Sequence, residues 1–426
     1  MDSSRIPNAK ITVRQRSSNT THKDRLVLFN TLNKSKVNLL SWFDNDIDLE
    51  KVKDSTEKGS ASASLAISAV VKNRPDLHLF VKMSFGTTMD GLYYERLIYE
   101  KVATPLVGLQ VTPCVVPFIA YIRVNNRYDK CDKIKKKSKD TQEICSAIGR
   151  SNFHPKNLSH GHALVTEGST GNTLYDWVKE SSTSMHITDS DIEEVMFQLI
   201  YTLQCFSEIG LLHNDLHSGN VFVDINDSYK ELTFVVSSKK IRTMTPRYLL
   251  KIYDFDRSTK FVSDYPHFRE NIINSFMYTH MDYAYGAEPV WDPRIDIIRI
   301  MGSIHRKLNP KWQEFVEKIV DVSKINEMYI ARKISYVDTM CYRNKGAKSN
   351  NACIVKPRTT ARYAILPKEA LNLFDESYTT SEKLGPRDPS TVFSLPSASA
   401  MHITLTKKPR IIPVQYSSQS RASIKK

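Results

Sequence analysis

The chain has 426 residues, with 60 Lys and Arg against 46 Asp and Glu for a net charge of +14. That length exceeds the roughly 250–300 residues at which a single core stops growing, so packed lobes with extensions are expected. An apolar fraction of 41% with 25% charged residues excludes wholesale disorder, and the basic excess suits polyanionic neighbours or solvated tails.

The six cysteines contain no C-x-x-C pair and are too sparse for a disulfide framework, which points to the cytoplasm or another reducing intracellular compartment. Met1 to Arg16 are polar and basic, without the apolar region of a secretory signal. No later run approaches the roughly 18 apolar residues of a membrane span, so no transmembrane segment is expected.

In chain order, residues 1–50 read as a basic arm and extension, rich in Arg, Ser, Thr and Asn at first, with apolar residues from Leu26 to Phe43. Gly59, Ala61 and Ser64 lie in a stretch of small residues that reads on its own as a flexible linker. Leu77, Leu79, Val81 and Met83 alternate with His78, Phe80, Lys82 and Ser84, the period of a strand with Lys82 opposite the aliphatics. Asp90 to Val102 has a helical pattern. Residues 128–140 form a lysine-rich interruption, an exposed basic loop suited to a polyanion such as nucleic acid or an anionic surface.

Ser190 with Glu193 offers a capping box for a helix whose Ile192, Val195, Met196, Leu199, Ile200, Leu203 and Phe206 repeat at helical spacing, closed by Gly210. The polar octapeptide His213 to Asn220 then sits between Leu211-Leu212 and Val221-Phe222-Val223, a loop held by apolar anchors. Leu249 to Tyr253 is strand-like and runs into Asp254-Phe255-Asp256. Asp292-Pro293 starts a largely apolar helix that continues to Leu308 and stops before Pro310. Residues 377–426, dominated by Ser, Pro, Thr, Lys and Arg, read as a basic, disordered tail.

Two histidines, an aspartate and an asparagine within eight positions are a dense set of polar groups for a surface loop. A zinc site is one reading of the histidines, but H-x-x-x-H here lacks a following ligand cluster. Plain solvation of the loop is another. Within the helical stretch Asp90 to Val102, spacing puts Glu95 on a face with Leu92, Ile98, Tyr99 and Val102, whereas Glu100 falls beside Arg96 and Lys101. A carboxylate in an apolar stripe needs a partner, which singles out Glu95 over Glu100.

His213-x-Asp215-Leu216-x-x-x-Asn220 resembles the H-R-D-L-x-x-x-N catalytic loop of protein kinases, and Asp254-Phe255-Asp256 resembles their D-F-G element. The resemblance runs from about Lys58 to Leu308 with its motifs in family order. It implies an α+β, bilobal protein-kinase-like fold, with a small β-rich N-lobe over residues 51–168 and a mainly helical C-lobe over 169–376. It implies an ATP- and Mg²⁺-dependent phosphotransferase, a serine/threonine protein kinase acting on protein substrates.

By that resemblance Asp215 accepts the proton of the attacked hydroxyl and Asn220 and Asp254 hold Mg²⁺. Leu79-Phe80-Val81-Lys82 stands for V-A-I-K, with Lys82 on the phosphates and paired to Glu95. Gly59-x-Ala61-x-x-Ser64-x-Ala66 has the spacing of the glycine-rich loop, with small residues in place of two glycines. Thr166 would be the gatekeeper, Glu167 and Ser169 would bind adenine through their backbones, and Asp296 is similar to the aspartate that braces the catalytic loop. The chain departs from the pattern at Asn214, at Asp256 and at His217, which joins Asp215 and Lys82 among the expected catalytic residues. The long segment from Asp224 to Tyr253 is expected to hold a hairpin. His217 and Gly219 resemble aminoglycoside and choline phosphotransferases, so a small-molecule kinase is one alternative, and a partner-binding pseudokinase is another. The H-x-D-L loop, the D-F-D element and the insertions also resemble divergent kinases of large DNA viruses.

Overall fold

A computed structural model of the protein describes residues 53–54, 64–72, 74–84, 91–125, 160–183, 186–226, 231–237, 239–260, 292–323, 339–343, 351–355, 363–380 and 391–396. The expected arm over 1–50 and the basic loop over 128–140 lie outside these residues, as do Gly59 and Ala61 of the small-residue stretch. The class is α+β, built from helices and mostly antiparallel sheets.

The first layer is a five-stranded antiparallel sheet. Its strands are β1 (Lys53–Asp54), β2 (Ser64–Val71), β3 (Arg74–Ser84), β4 (Phe118–Asn125) and β5 (His160–Glu167), in the order β1-β2-β3-β5-β4. Alternation in β3 buries Leu79 and Val81 completely and presents Phe80 and Lys82 on the other face. Ser64, expected in a phosphate-binding loop, is the first residue of β2 and pairs across the ladder with Ser84.

Helix α1 (Gly91–Ile98) does not stop near Val102. It passes through a π turn at Tyr99–Ala103 into α2 (Thr104–Gly108). Pro105 has no N–H to give to the preceding turn, and the π turn directly before it accommodates the missing bond.

Beyond β5 the chain makes β6 (Asn172–Thr173), α3 (Leu174–Ser181) and the long, almost wholly buried α4 (Asp189–Glu208). The cap of α4 lies two residues upstream of the expected Ser190. Thr188 accepts the amide of Asp191, and Asp191 accepts the amide of Thr188 at 2.8 Å. Glu193, the other half of the expected box, is drawn away by Arg242 at 2.9 Å. Gly210 closes the helix at φ 68°, a left-handed conformation that glycine adopts without Cβ strain.

Strand β7 (Leu211–Leu212) leads into the polar loop and β8 (Val221–Ile225) leads out of it. The expected hairpin follows as β9 (Leu232–Ser237) and β10 (Lys240–Met244). β11 (Tyr248–Ile252) then returns to pair with β8, and β12 (Thr259–Lys260) pairs with β7. The loop and the Asp-Phe-Asp turn are thus tied together from both sides.

Helix α5 (Arg294–Ile304) starts where Asp292 accepts the Arg294 amide at 3.0 Å, and its apolar residues are buried as expected. It ends in a 3-10 turn over His305–Lys307, and Pro310 opens a further helix, α6 (Pro310–Glu317), capped by Asn309. The remaining elements are the β13 (Thr339–Arg343) and β14 (Asn351–Val355) pair, the short helix α7 (Pro367–Leu371) and β15 (Val392–Ser394).

Of the expected tail over 377–426, only 377–380 and 391–396 are among the described residues, and β15 within it is an ordered strand. It adds to β9 as a parallel strand, and Phe393 is fully buried beside Phe234. Burying one large aromatic residue outweighs the polar composition around it. Among the described residues, no helix is long and apolar enough to cross a membrane.

Candidate active site

Lys82 is where the sheet meets the rest of the chain. Its ammonium lies 3.0 Å from Glu95 on α1, 2.7 Å from Asp254 and 3.5 Å from Asp256. Glu95 is 2% exposed, whereas Glu100 turns outward to Arg96 and Lys101, each within hydrogen-bond distance. Burial pulls the lysine's pKa down, but Asp254, Asp256 and Glu95 outweigh it and hold the group well above the ordinary lysine value. Burial pushes the Glu95 carboxyl up to about 8, with Lys82 acting against the rise and the two aspartates adding to it. With Glu95 holding its proton, the two aspartates beside one ammonium still leave a net negative charge that favours a further cation.

Asp254 adopts φ 62°, a left-handed conformation that is uncommon outside glycine and enriched in Asp and Asn. Its amide donates to the Tyr99 hydroxyl at 2.9 Å, and the next residue, Phe255, is fully buried against Tyr99, Phe206 and His213. The ring anchors the turn, so both flanking aspartates point toward Lys82.

The polar loop is fixed from below by Asp296 of α5. Its carboxylate accepts the amides of His213 at 2.7 Å and Asn214 at 2.9 Å. Burial raises the pKa of Asp296, while His213, Arg299 and the two amides pull it back. Asn214 sits at φ 63°, where asparagine is among the better-tolerated side chains.

The His213 ring bonds the Tyr253 carbonyl at 2.7 Å, the Tyr253 amide donates to the Asn220 carbonyl at 2.9 Å, and the Asn220 side-chain amide donates to the Asp215 carbonyl at 2.9 Å. This chain of bonds sets Asp215, Asn220 and Asp254 in one constellation. Asp215 is partly exposed and lies 3.4 Å from Arg299, itself 1% exposed, one turn after Asp296. His217 is engaged inside the loop, since its Nδ1 accepts the Gly219 amide at 3.0 Å. That bond places a neutral ring's proton on Nε2.

The stretch leaving β5 is held by a second buried cluster. Lys251 lies 2.7 Å from Asp224 and 3.3 Å from Glu167, and donates to the Gly168 carbonyl at 3.2 Å. Asp224 also accepts the Ser169 hydroxyl and, at 3.0 Å, the Gly171 amide. Burial acts to raise the Asp224 pKa, but Lys251, Ser169 and Gly171 win and keep it below the usual carboxylate range. Gly171 is obligatory here, because a Cβ would lie 1.9 Å from the Val223 carbonyl oxygen.

Thr166 is buried and its hydroxyl donates to the Glu167 carbonyl at 3.2 Å. The Glu167 backbone, expected to bind a base, makes bonds within the protein. Its amide donates to the Pro117 carbonyl at 3.2 Å, and its carbonyl also accepts the Tyr253 hydroxyl at 3.0 Å.

Lys82, Glu95, Asp254, Asp215 and Asn220 therefore come together, with Asp296 beneath them, while Gly59 and Ala61 are outside the described residues and Ser64 is a strand residue. Sequence reading missed Arg299, Tyr99, Tyr253 and the Lys251–Asp224–Glu167 cluster. The signal for two of them was present, as Arg299 and Lys251 each interrupt an apolar run. Among the described residues, no group of three or more His, Cys, Asp or Glu is arranged to hold a metal ion. Mg²⁺ held through phosphates needs only one or two protein ligands. No family model matches the sequence, and no curated protein gives a significant match.

Proposed function

We propose that the protein is an ATP-dependent phosphotransferase with a bilobal, protein-kinase-like arrangement, and that it transfers a phosphoryl group to serine or threonine hydroxyls of protein substrates. The observation that carries this reading is the convergence on Lys82 of Glu95 and of Asp254, the latter 172 positions away, next to a loop whose Asp215 and Asn220 are joined to the same turn. Structural ion pairs alone do not call for a partly exposed carboxylate on a loop braced by a buried aspartate.

The residues fit the group that such chemistry requires. The Asp254 carboxylate is about one-third exposed (36%) and the Asn220 side-chain oxygen accepts no bond among the described residues, so these two would hold Mg²⁺. The ion would neutralise charge on the phosphates. Lys82 is positioned to add a second positive charge there, with Glu95 fixing its direction. Asp215 takes the proton that the acceptor hydroxyl loses as its oxygen bonds to the terminal phosphorus and the bond from that phosphorus to the leaving nucleoside diphosphate breaks, and Arg299 keeps the carboxylate oriented.

The test is transfer of label from terminally labelled ATP to a generic protein mixture, with Asp215→Asn as the control. The substitution is expected to lower transfer by about 10²-fold or more while nucleotide affinity changes little. Turnover like that of the wild type in Asp215→Asn would refute the assignment.

A further inference from the structure

The backbone groups of Glu167 and Gly168, where the chain leaves β5, already make bonds within the protein. The Glu167 amide donates to the Pro117 carbonyl, and the Gly168 amide donates to the His78 carbonyl at 2.8 Å. The Glu167 carbonyl receives two hydroxyls, from Tyr253 at 3.0 Å and Thr166 at 3.2 Å, which occupies both of its lone pairs. The Gly168 carbonyl receives Lys251.

Beside these groups stand three aromatic rings. Phe80, opposite Thr166 in the β3–β5 register, meets Tyr253 edge to face at 5.7 Å, and Phe222 on β8 meets the same ring edge to face at 5.0 Å. Both phenylalanines are half-buried, and they make no ring contact with each other.

We infer that the donor nucleotide is held by stacking of its base on Phe80 and Phe222 and is not chosen by its base edge, so adenine and guanine nucleotides are accepted alike. This rests on the phosphotransferase reading above. Stacking is tolerant because every base has a π face. Strong discrimination, of order 10⁴–10⁵-fold, arises where a wrong partner leaves a buried polar group unpaired. Here the Tyr253 and Thr166 hydroxyls satisfy the carbonyl that a base amine would otherwise reach, so neither adenine nor guanine leaves that carbonyl unpaired. The next amide, that of Ser169, pairs with no group among the described residues. It is a single donor, served equally by N1 of adenine or O6 of guanine.

The experiment is calorimetric titration of the full chain with Mg²⁺-ATP, Mg²⁺-GTP and Mg²⁺-tripolyphosphate. The expected result is that ATP and GTP bind within about tenfold of each other and both more tightly than tripolyphosphate. A preference for ATP of about 100-fold or more overturns this inference and leaves the phosphotransferase reading intact. Nucleotides binding no better than tripolyphosphate overturn the stacking platform, and absence of all binding overturns both readings. Tyr253→Phe frees one lone pair on the Glu167 carbonyl and is expected to shift the ratio toward ATP by about tenfold. An unchanged ratio in that variant would contradict the role given to the phenol.

Discussion

Replacing Asp296 by asparagine tests the brace under the polar loop most directly. The carboxylate accepts two buried amides, from His213 at 2.7 Å and Asn214 at 2.9 Å. Asparagine keeps the shape but offers one oxygen, so one amide must face an NH₂ group. A hydrogen bond to a charged acceptor contributes roughly 1.5–3 kcal/mol, and a buried donor left without an acceptor costs about 1–3 kcal/mol. Removing a buried charge recovers part of that, because burial already works against the ionised Asp296. The expected loss in unfolding free energy is about 2–3 kcal/mol, read by urea titration at pH 7. Transfer activity should fall further than stability, since the strained Asn214 and its neighbour Asp215 depend on the same bonds. An asparagine variant within about 0.5 kcal/mol of the wild type would show that Asp296 does not hold the loop.

Lys251→Met leaves Asp224 and Glu167 without their buried cation and should cost about 3–5 kcal/mol, and adding Asp224→Asn should recover part of it in a double-mutant cycle by denaturation. Gly171→Ala drives a Cβ into the Val223 carbonyl and should destabilise by about 3 kcal/mol, with a soluble variant of unchanged melting temperature ruling out the close approach. Glu95 has a native pKa near 8 against an ordinary value of 4.5, so the folded state holds a proton that the unfolded chain releases between them. Its contribution is therefore fully present below pH 4.5 and is lost as pH rises through 8. Nucleotide-free protein should lose stability across that window, and Glu95→Gln should flatten the slope; an unaltered slope would place the titration elsewhere.

The features legible in the sequence are those where a residue type conflicts with its surroundings in a periodic element. Glu95 inside an apolar helical stripe and Asp296 in an apolar helix each announced a buried charge needing a partner, whereas Lys82 stood out only by the resemblance of Leu79-Phe80-Val81-Lys82 to V-A-I-K, and the structure supplies partners for all three. Lys251 and Arg299 carried the same signal, but a lone cation in an apolar run looks alike whether it extends to water or pairs inside. Their partners are remote in the chain, so spacing could not name them. The cap of α4 was ambiguous because two overlapping boxes fit the same six residues, and the distant Arg242 decides between them by capturing Glu193. The saturated backbone at Glu167 was invisible for a different reason, since its hydroxyl donor comes from Tyr253, a residue whose sequence context says only that it follows a strand.

β15 bears on the timing of synthesis. β9 and β10 emerge early and can close their hairpin at once, yet the outer edge of β9 stays open until Val392–Ser394 has been made. During that interval a row of backbone donors and acceptors, with Phe234 behind it, faces the solvent as an exposed template for pairing with other chains. Completion of the core around Phe234 thus waits on Phe393, and a nascent chain stalled before it would carry the aggregation hazard that the finished protein has covered.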